Sequence, residues 1–586
     1  MSIADWSDAQ LNALRQRADP VGDRLTAEIY SLPAGGGSGF GRLGYNHFLH
    51  LTDKLEEGPE LILADGSEFQ KQWQAMPEVF TDYFAPMELP KWVDPAKLAI
   101  ASRMWEDDSL GMLVVLFLGS LPACYLMARG IPALYQTEKL ANRRYISQRI
   151  YETGLMLDTV MDLGGLRVLT DVDLPAIDDL SAALNRLDPT GKWGKEGRSV
   201  RRSGTTPPVA IPPELLARQM TDGEEGDEPK HFLSGPGYIT IKKVRLLHAS
   251  MRYMLQNPGQ FRPPGAPSGP PANLAEVHAQ RTDAWDKDNL GLPVNQEDLA
   301  YTLLTFGYLI PAGMERWGWK YTPEEKHAFL HLWRLTGHVL GVEDGLMTDD
   351  WDEARRIYER IQRHQSEPSK DGVELTNTLI EFIEDYLPTF FGLNEKLPAP
   401  AIRDLVGPEA DKILAEPVLR AAKRPLRRLL WWGLRTVLRV FNWIRHCLKA
   451  VPGLTGMFSD PIHRVAEELI ESCRGAYRRE PFFLPVSQTS WVPQFGAGPE
   501  FLETLVKWRQ RVFKWVLASV VPLMIGTIGG CATIWLLLIQ FQQAWIVGLV
   551  SVAFFGLSLL SLHVMLPRVL AERPSIKDAS PIETPR

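Results

Sequence analysis

Two stretches near the C-terminus constrain the fold more than any other part of this chain: Val516–Leu538 and Ala544–Met565 contain no Asp, Glu, Lys or Arg. A helix over the first would be about 35 Å long, enough to cross the hydrocarbon core of a bilayer. Only Ile539–Gln543 separates the two, so a tight turn and an antiparallel hairpin are expected. Arg509, Arg511 and Lys514 precede the first stretch, and Arg568, Arg573 and Lys577 follow the second. Basic residues at span ends favour the cytoplasmic side. The expected arrangement is a multi-pass membrane protein with two C-terminal spans and with the soluble body and both termini in the cytoplasm. Two buried core helices are the alternative. A third apolar stretch, Leu110–Met127, carries Gly119 and Pro122. It is read as a core helix, since a span there would place the N-terminal region across the bilayer from the rest, with a borderline membrane span as the alternative.

The remainder is large enough for a substantial core: 586 residues, 45% apolar and 23% charged. A net charge of -8, with the basic residues gathered in one late segment, argues against nucleic acid as a partner. Cys124, Cys447, Cys473 and Cys531 lack metal-ligand spacing, so neither a zinc site nor a disulfide framework is indicated and a reducing compartment is the simplest reading. The N-terminus MSIADWSDAQLNALRQRADPVGD mixes charges without a signal-like apolar core and is expected to stay on the chain.

Helical periodicity dominates, as in DEARRIYERIQRH and VELTNTLIEFIEDYLPTFFGL, which predicts an all-α fold. The expected layout is a helical domain over 1–415 with flexible inserts at 188–237 and 257–272. A basic amphipathic membrane-proximal region follows over 416–510, then the hairpin over 511–570 and a disordered tail over 571–586. Within the amphipathic region, a helix from Arg427 aligns Arg428, Arg435, Arg439, Asn442, His446 and Lys449 in one polar stripe opposite a Trp-rich apolar face. Such a helix can lie on a cytoplasmic membrane surface with its basic residues on anionic headgroups, or close the soluble core.

The histidines divide into unequal candidates. His327, His331 and His338 follow at helical steps and could form a metal-binding face, but Ala328 stands where the HExxH motif needs its glutamate, which favours packing histidines. His47 and His50 read as local structure. No nucleotide-binding fingerprint or nucleophile elbow stands in a convincing context. The segment KKVRLLHASMRY (Lys242–Tyr253) is different, because Arg245, His248 and Arg252 share one helical face. A neutral imidazole is a good iron ligand, and guanidiniums suit carboxylates such as haem propionates. His248 is therefore a candidate axial ligand.

This segment resembles the haem-ligating helix of the latex-clearing protein (rubber oxygenase) and MpaB-type oxygenase family, in which arginines stand three before and four after the histidine. RRYISQRIYETGLMLDTVMDLGG (Arg143–Gly165) is similar to the family's distal-pocket helix, with Arg149 and Thr153 at the pocket positions. Val294–Asp344 resembles its long paired-helix region. A lysine stands immediately before the pocket threonine in rubber-cleaving members, whereas this chain has Glu152 there. Glu138 and Glu152 are the nearby candidates for the family's upstream base.

The resemblance implies a b-type haem held noncovalently by His248 with Arg245 and Arg252 beside it, consistent with the absence of a CxxCH attachment motif. It further implies an oxygenase using O2 on an alkene. Arg149 would polarise bound oxygen, Thr153 would donate a hydrogen bond, and a carboxylate such as Glu152 would take an allylic proton. A bilayer-held body meets apolar, lipid-like molecules, so an isoprenoid is the expected substrate. A haem sensor or electron carrier, and a non-catalytic lipid-binding scaffold, are the two rivals.

Overall fold

The computed structural model of the chain describes residues 3–31, 78–135, 153–170, 231–257, 285–386, 393–449, 464–465, 468–469, 499–538 and 544–574. Helices α1 (Asp8–Leu14) and α2 (Pro20–Ser31) open the chain, followed after an interval by the core helix α3 (Pro95–Val115). Then come α4 (Pro236–Gln256), α5 (Gln296–Gly307), α6 (Leu309–Arg316), α7 (Pro323–Leu340), α8 (Trp351–Gln365), α9 (Lys370–Tyr386) and α10 (Pro398–Val406). The long helix α11 (Pro425–Lys449) precedes the hairpin of α12 (Pro499–Leu538) and α13 (Ala544–Leu560).

Local chemistry sets several boundaries. Thr322 and Glu325 form a capping box at the start of α7, and Gly341 ends it in the left-handed conformation at φ 89°. Asn295 caps α5 by accepting from the backbone N–H groups of Glu297 and Asp298. The core forms where α3, α5 and α7 pack together, burying Trp105, Met112, Val115, Tyr301 and Phe329 almost completely. Gly307 admits the Trp333 side chain, which stacks on Phe306 at 5.1 Å.

The Leu110–Met127 stretch behaves as a core helix. Of the apolar window in Pro95–Tyr125, 72% is buried inside the body. The helix loosens into a π turn at Leu116–Ser120, just before Pro122, whose missing N–H removes a regular helical bond.

The body is overwhelmingly helical but carries one departure from an all-α reading. Strands β1 (Met87–Glu88), β2 (Arg167–Thr170) and β3 (His231–Ser234) form an antiparallel sheet in the order β1-β3-β2. Met87 faces Leu233 and Arg167 faces Ser234 in the register. Strands of two to four residues are too short to show an alternating pattern, which is why periodicity did not expose them. Residues 231–237, placed by sequence within the 188–237 insert, are this strand and the start of α4; residues 188–230 and 258–272 lie outside the described residues.

α12 and α13 pack as an antiparallel pair. Small residues let the two helices approach: Gly526 and Gly529 lie close to Ser551, while Ser558 Oγ donates to the Ser519 carbonyl at 2.6 Å. The apolar side chains point outward, with Trp545, Leu549 and Val552 more than 60% exposed. Small and polar groups between the helices with large apolar groups outside are the reverse of a water-soluble helix pair over this part of the hairpin. Of this pair, Ala544–Ala571 is long and apolar enough to cross a membrane, with only 22% of its window buried.

Candidate functional site

His248 stands in the middle of α4, and the start of that helix is fixed by glycines. Gly235 adopts φ 105°, and the Gly237 N–H donates to the Gly165 carbonyl at 2.7 Å. A Cβ at either glycine would lie 2.7 Å from the Gly165 oxygen, so neither position tolerates a side chain. Gly165 closes the turn after the helical stretch 153–161. The structure thereby joins the Thr153 segment to the His248 segment, and β2 pairing with β3 reinforces the joint.

The orientation of α4 is set by two ion pairs, with Asp19 just before α2 and with Asp23 inside it. Arg245 donates from Nε to Asp19 Oδ2 at 2.6 Å and from Nη2 to Oδ1 at 2.7 Å, and its Nη1 reaches the Val339 carbonyl. Arg252 donates from Nε to Asp23 Oδ1 at 2.7 Å and from Nη1 to the carbonyls of Pro293 and Val294. Val294 is held at φ 51°, an uncommon conformation for a branched residue. Burial opposes the charge on Arg245, but Asp19 outweighs it and leaves the guanidinium above its usual pKa. Burial raises the Asp23 carboxyl despite Arg252. The expectation that these guanidiniums would be available to a cofactor's carboxylates therefore meets a different geometry: their strongest bonds go to the chain's own carboxylates. Gly22 allows this close approach of α2, since a Cβ there would lie 2.5 Å from Asp19 Oδ2 and 3.2 Å from Ala249 Cβ.

His248 itself is half-buried. Met251 and Leu255, one and two turns further on, pack with Leu134 and Ala133 of the helix Ile131–Tyr135. That helix leads into residues 136–152, which carry Arg149 and Glu152; both lie outside the described residues, as do Glu138, His47 and His50. Thr153 opens the described stretch and is half-buried. Trp105 donates to Asp158 at 3.1 Å and ties this stretch to α3. The donor set fits haem in one respect: a porphyrin supplies four nitrogens and asks a helix for a single imidazole, which His248 can provide.

His331 and His338 resolve as structural groups. The Asp94 N–H donates to His331 Nε2 at 2.8 Å, so that nitrogen carries the lone pair and Nδ1–H donates to Asp349 at 3.0 Å. Both ring nitrogens are thus occupied. His338 Nδ1 pairs with Asp344 at 2.6 Å. Among the described residues, no group of three or more His, Cys, Asp or Glu side chains could hold a metal ion.

Sequence reasoning missed Asp19, Asp23 and Lys242. The two aspartates are four residues apart, a spacing that presents both on one helical face, but nothing local announces their partners some 226 residues away. Lys242 is buried with its ammonium 4.5 Å from the Tyr83 ring centroid and 5.3 Å from that of Tyr238. Burial lowers its pKa to about 8, with Arg245 adding to the effect.

The family model described as ER-bound oxygenase mpaB/B'/Rubber oxygenase, catalytic domain, matches residues 232–441. This segment is similar to the rubber oxygenase and MpaB-type family. The rubber oxygenase of Streptomyces sp. (strain K30) is 26% identical over 215 residues, which is 35% of this chain and 43% of that protein. The chain thus spans less than half the length of this curated relative. A solved structure, latex clearing protein LCP in the closed state, aligns over 77% of this chain and 90% of that one, at 15% identity and a TM-score of 0.44. The matched segment runs from β3 into α11. It contains Arg245, His248 and Arg252, whereas Arg149, Glu152 and Thr153 precede it.

Proposed function

We propose that this chain is a membrane-anchored, b-type haem oxygenase that uses O2 to oxidise or cleave a C=C bond in an isoprenoid or another unsaturated, lipid-like molecule. The observation that carries this reading is His248 near the start of the family-matched segment, on a helix that two arginine–aspartate pairs hold in one orientation. The haem would supply iron for O2 chemistry when bound. His248 would hold it from α4, with Arg245 and Arg252 acting chiefly as positioning residues for that helix.

Thr153 would enter the site from the stretch joined to α4 at Gly165, as a hydroxyl donor. Arg149, one turn earlier in sequence, would stabilise developing negative charge, and Glu152 would accept a substrate proton. An outward-facing apolar hairpin supports membrane anchoring and, with it, a substrate that partitions into lipid.

The test is an absorption spectrum of the full chain purified in mild detergent, with and without dithionite, beside His248→Ala. A Soret band that the variant lacks is the expected result, followed by O2 uptake with isoprenoid lipids. Protein that stays colourless after haem is supplied overturns the proposal.

A further inference from the structure

The long helix α11 is amphipathic, and its polar face is the one that meets the body. Arg435 pairs with Asp404 at 2.8 Å, and Asn442, almost fully buried, donates to the Trp317 carbonyl. Arg445 bonds Asp108 of α3, and Trp431 packs edge-on against Trp317. Three of the six residues of the polar stripe expected to meet headgroups, Arg435, Arg439 and Asn442, are thus engaged in protein contacts.

The opposite face is left outward and apolar. Leu426, Leu429 and Trp432 are each more than 60% exposed, and Val437 and Trp443 follow at 40% and 49%. A water-soluble protein does not ordinarily leave such a row uncovered along one helix. The row is continuous with the hairpin, because Phe441 of α11 packs against the cluster of Trp508, Val512, Leu562 and Leu566 at its base.

We infer that α11 lies in the plane of the membrane surface, with this apolar row inserted among the outer acyl chains of an anionic leaflet. The inference rests on the hairpin being a membrane anchor. Charge selects the partner: no acidic residue occurs from Pro417 to Lys449, and Arg424 and Arg428 at the start of α11 are exposed. These arginines stand where phosphate headgroups meet a helix sunk to its apolar depth, and Trp432 and Trp443 have the amphipathic rings suited to that level. Crossing the bilayer is excluded for α11 by its arginines at 427, 428, 435, 439 and 445. The consequence for function is orientation. The polar side of α11 clamps α3 and the Arg316–Trp317 turn, so the helix would fix which face of the body rests on lipid.

The experiment uses the full chain in liposomes of phosphatidylcholine, with and without phosphatidylglycerol, doped with a phospholipid carrying a diazirine high on its acyl chain. After photolysis, adducts are mapped by mass spectrometry. We expect about tenfold more adduct on peptides containing Leu429, Trp432 and Trp443 than on those of α8, rising with phosphatidylglycerol. In the double variant Leu429→Glu, Trp432→Glu, α11 labelling is lost while labelling around Val552 persists. Labelling of Val552 without labelling of α11 in the native chain overturns the inference and leaves the anchor standing. No labelling at either place overturns the anchor as well. Shielding of α11 by a second copy, seen as dimers that the double variant converts to monomers, also overturns it.

Discussion

Arg245 grips Asp19 through two parallel hydrogen bonds of 2.6 and 2.7 Å, and this pair sets the position of His248 three residues further on. A bidentate guanidinium–carboxylate contact fixes angle as well as distance, which a point charge cannot do. Its side chains are 12% and 3% exposed, so removing one partner strands the other in a poorly solvated place.

Asp19→Ala is therefore expected to destabilise the body by about 3–5 kcal/mol. Arg245→Lys should recover little of the bidentate geometry and should also be destabilised. Chemical denaturation of the detergent-solubilised chain measures both. In the proposed reading, haem content falls with them because α4 loses its orientation. Wild-type stability in Asp19→Ala would falsify the clamp.

Lys242 gives a pH-dependent expectation. Its pKa in the folded protein is about 8, against 10.5 for the ordinary side chain, chiefly because it is buried. Between those values the unfolded chain binds more protons, so stability rises with pH across this window; below about pH 8 the full cost of burying the charge is present. Two flanking tyrosine rings offset part of that cost. Lys242→Met should raise stability at pH 7 by on the order of 2 kcal/mol, with the gain shrinking by pH 9.5. An equal gain at both pH values contradicts the assignment.

Much of this molecule was legible because helices announce themselves over several turns. The apolar hairpin and the Arg245, His248, Arg252 spacing are both local patterns. What escaped was long-range pairing. Asp19 and Asp23 carry no mark of their partners, and the face that α11 turns to the body was not decided by its amphipathic pattern. Either side of such a helix can meet protein or lipid, and only the bonds from Arg435, Asn442 and Arg445 choose. The sheet escaped for another reason: strands this short hold no repeat to read.

Thr153 and its sequence neighbours test the proposed pocket without touching His248, the proposed iron ligand. Thr153→Val keeps the branched shape and removes the hydroxyl, so haem content should stay level while O2-dependent turnover drops by about 10²-fold. Glu152→Gln should lower turnover by about 10² or more if this carboxylate takes the substrate proton, with a changed pH profile as the accompanying sign. Unaltered turnover in both variants removes them from the site while leaving the His248 spectrum as it was.

The hairpin yields the most direct structural test. Gly526 and Gly529 let α12 approach α13, since a Cβ at Gly526 would lie 2.9 Å from the Phe555 ring, and one at Gly529 would collide with Ser551 Oγ. Nearby, Ser519, Ser558 and Ser561 exchange hydrogen bonds across the same interface. Close backbone packing, rather than apolar burial, holds such a pair in lipid. Ser558→Ala should cost only about 0.6 kcal/mol, because polar contacts in membranes are individually modest. Gly529→Leu should part the helices. Cysteines placed at Thr533 and Gly548, which face each other across the pair, should form a disulfide on oxidation when Cys531 is replaced by alanine. The added Gly529→Leu should abolish that cross-link; an undiminished yield means that the glycines do not set the approach of the two helices.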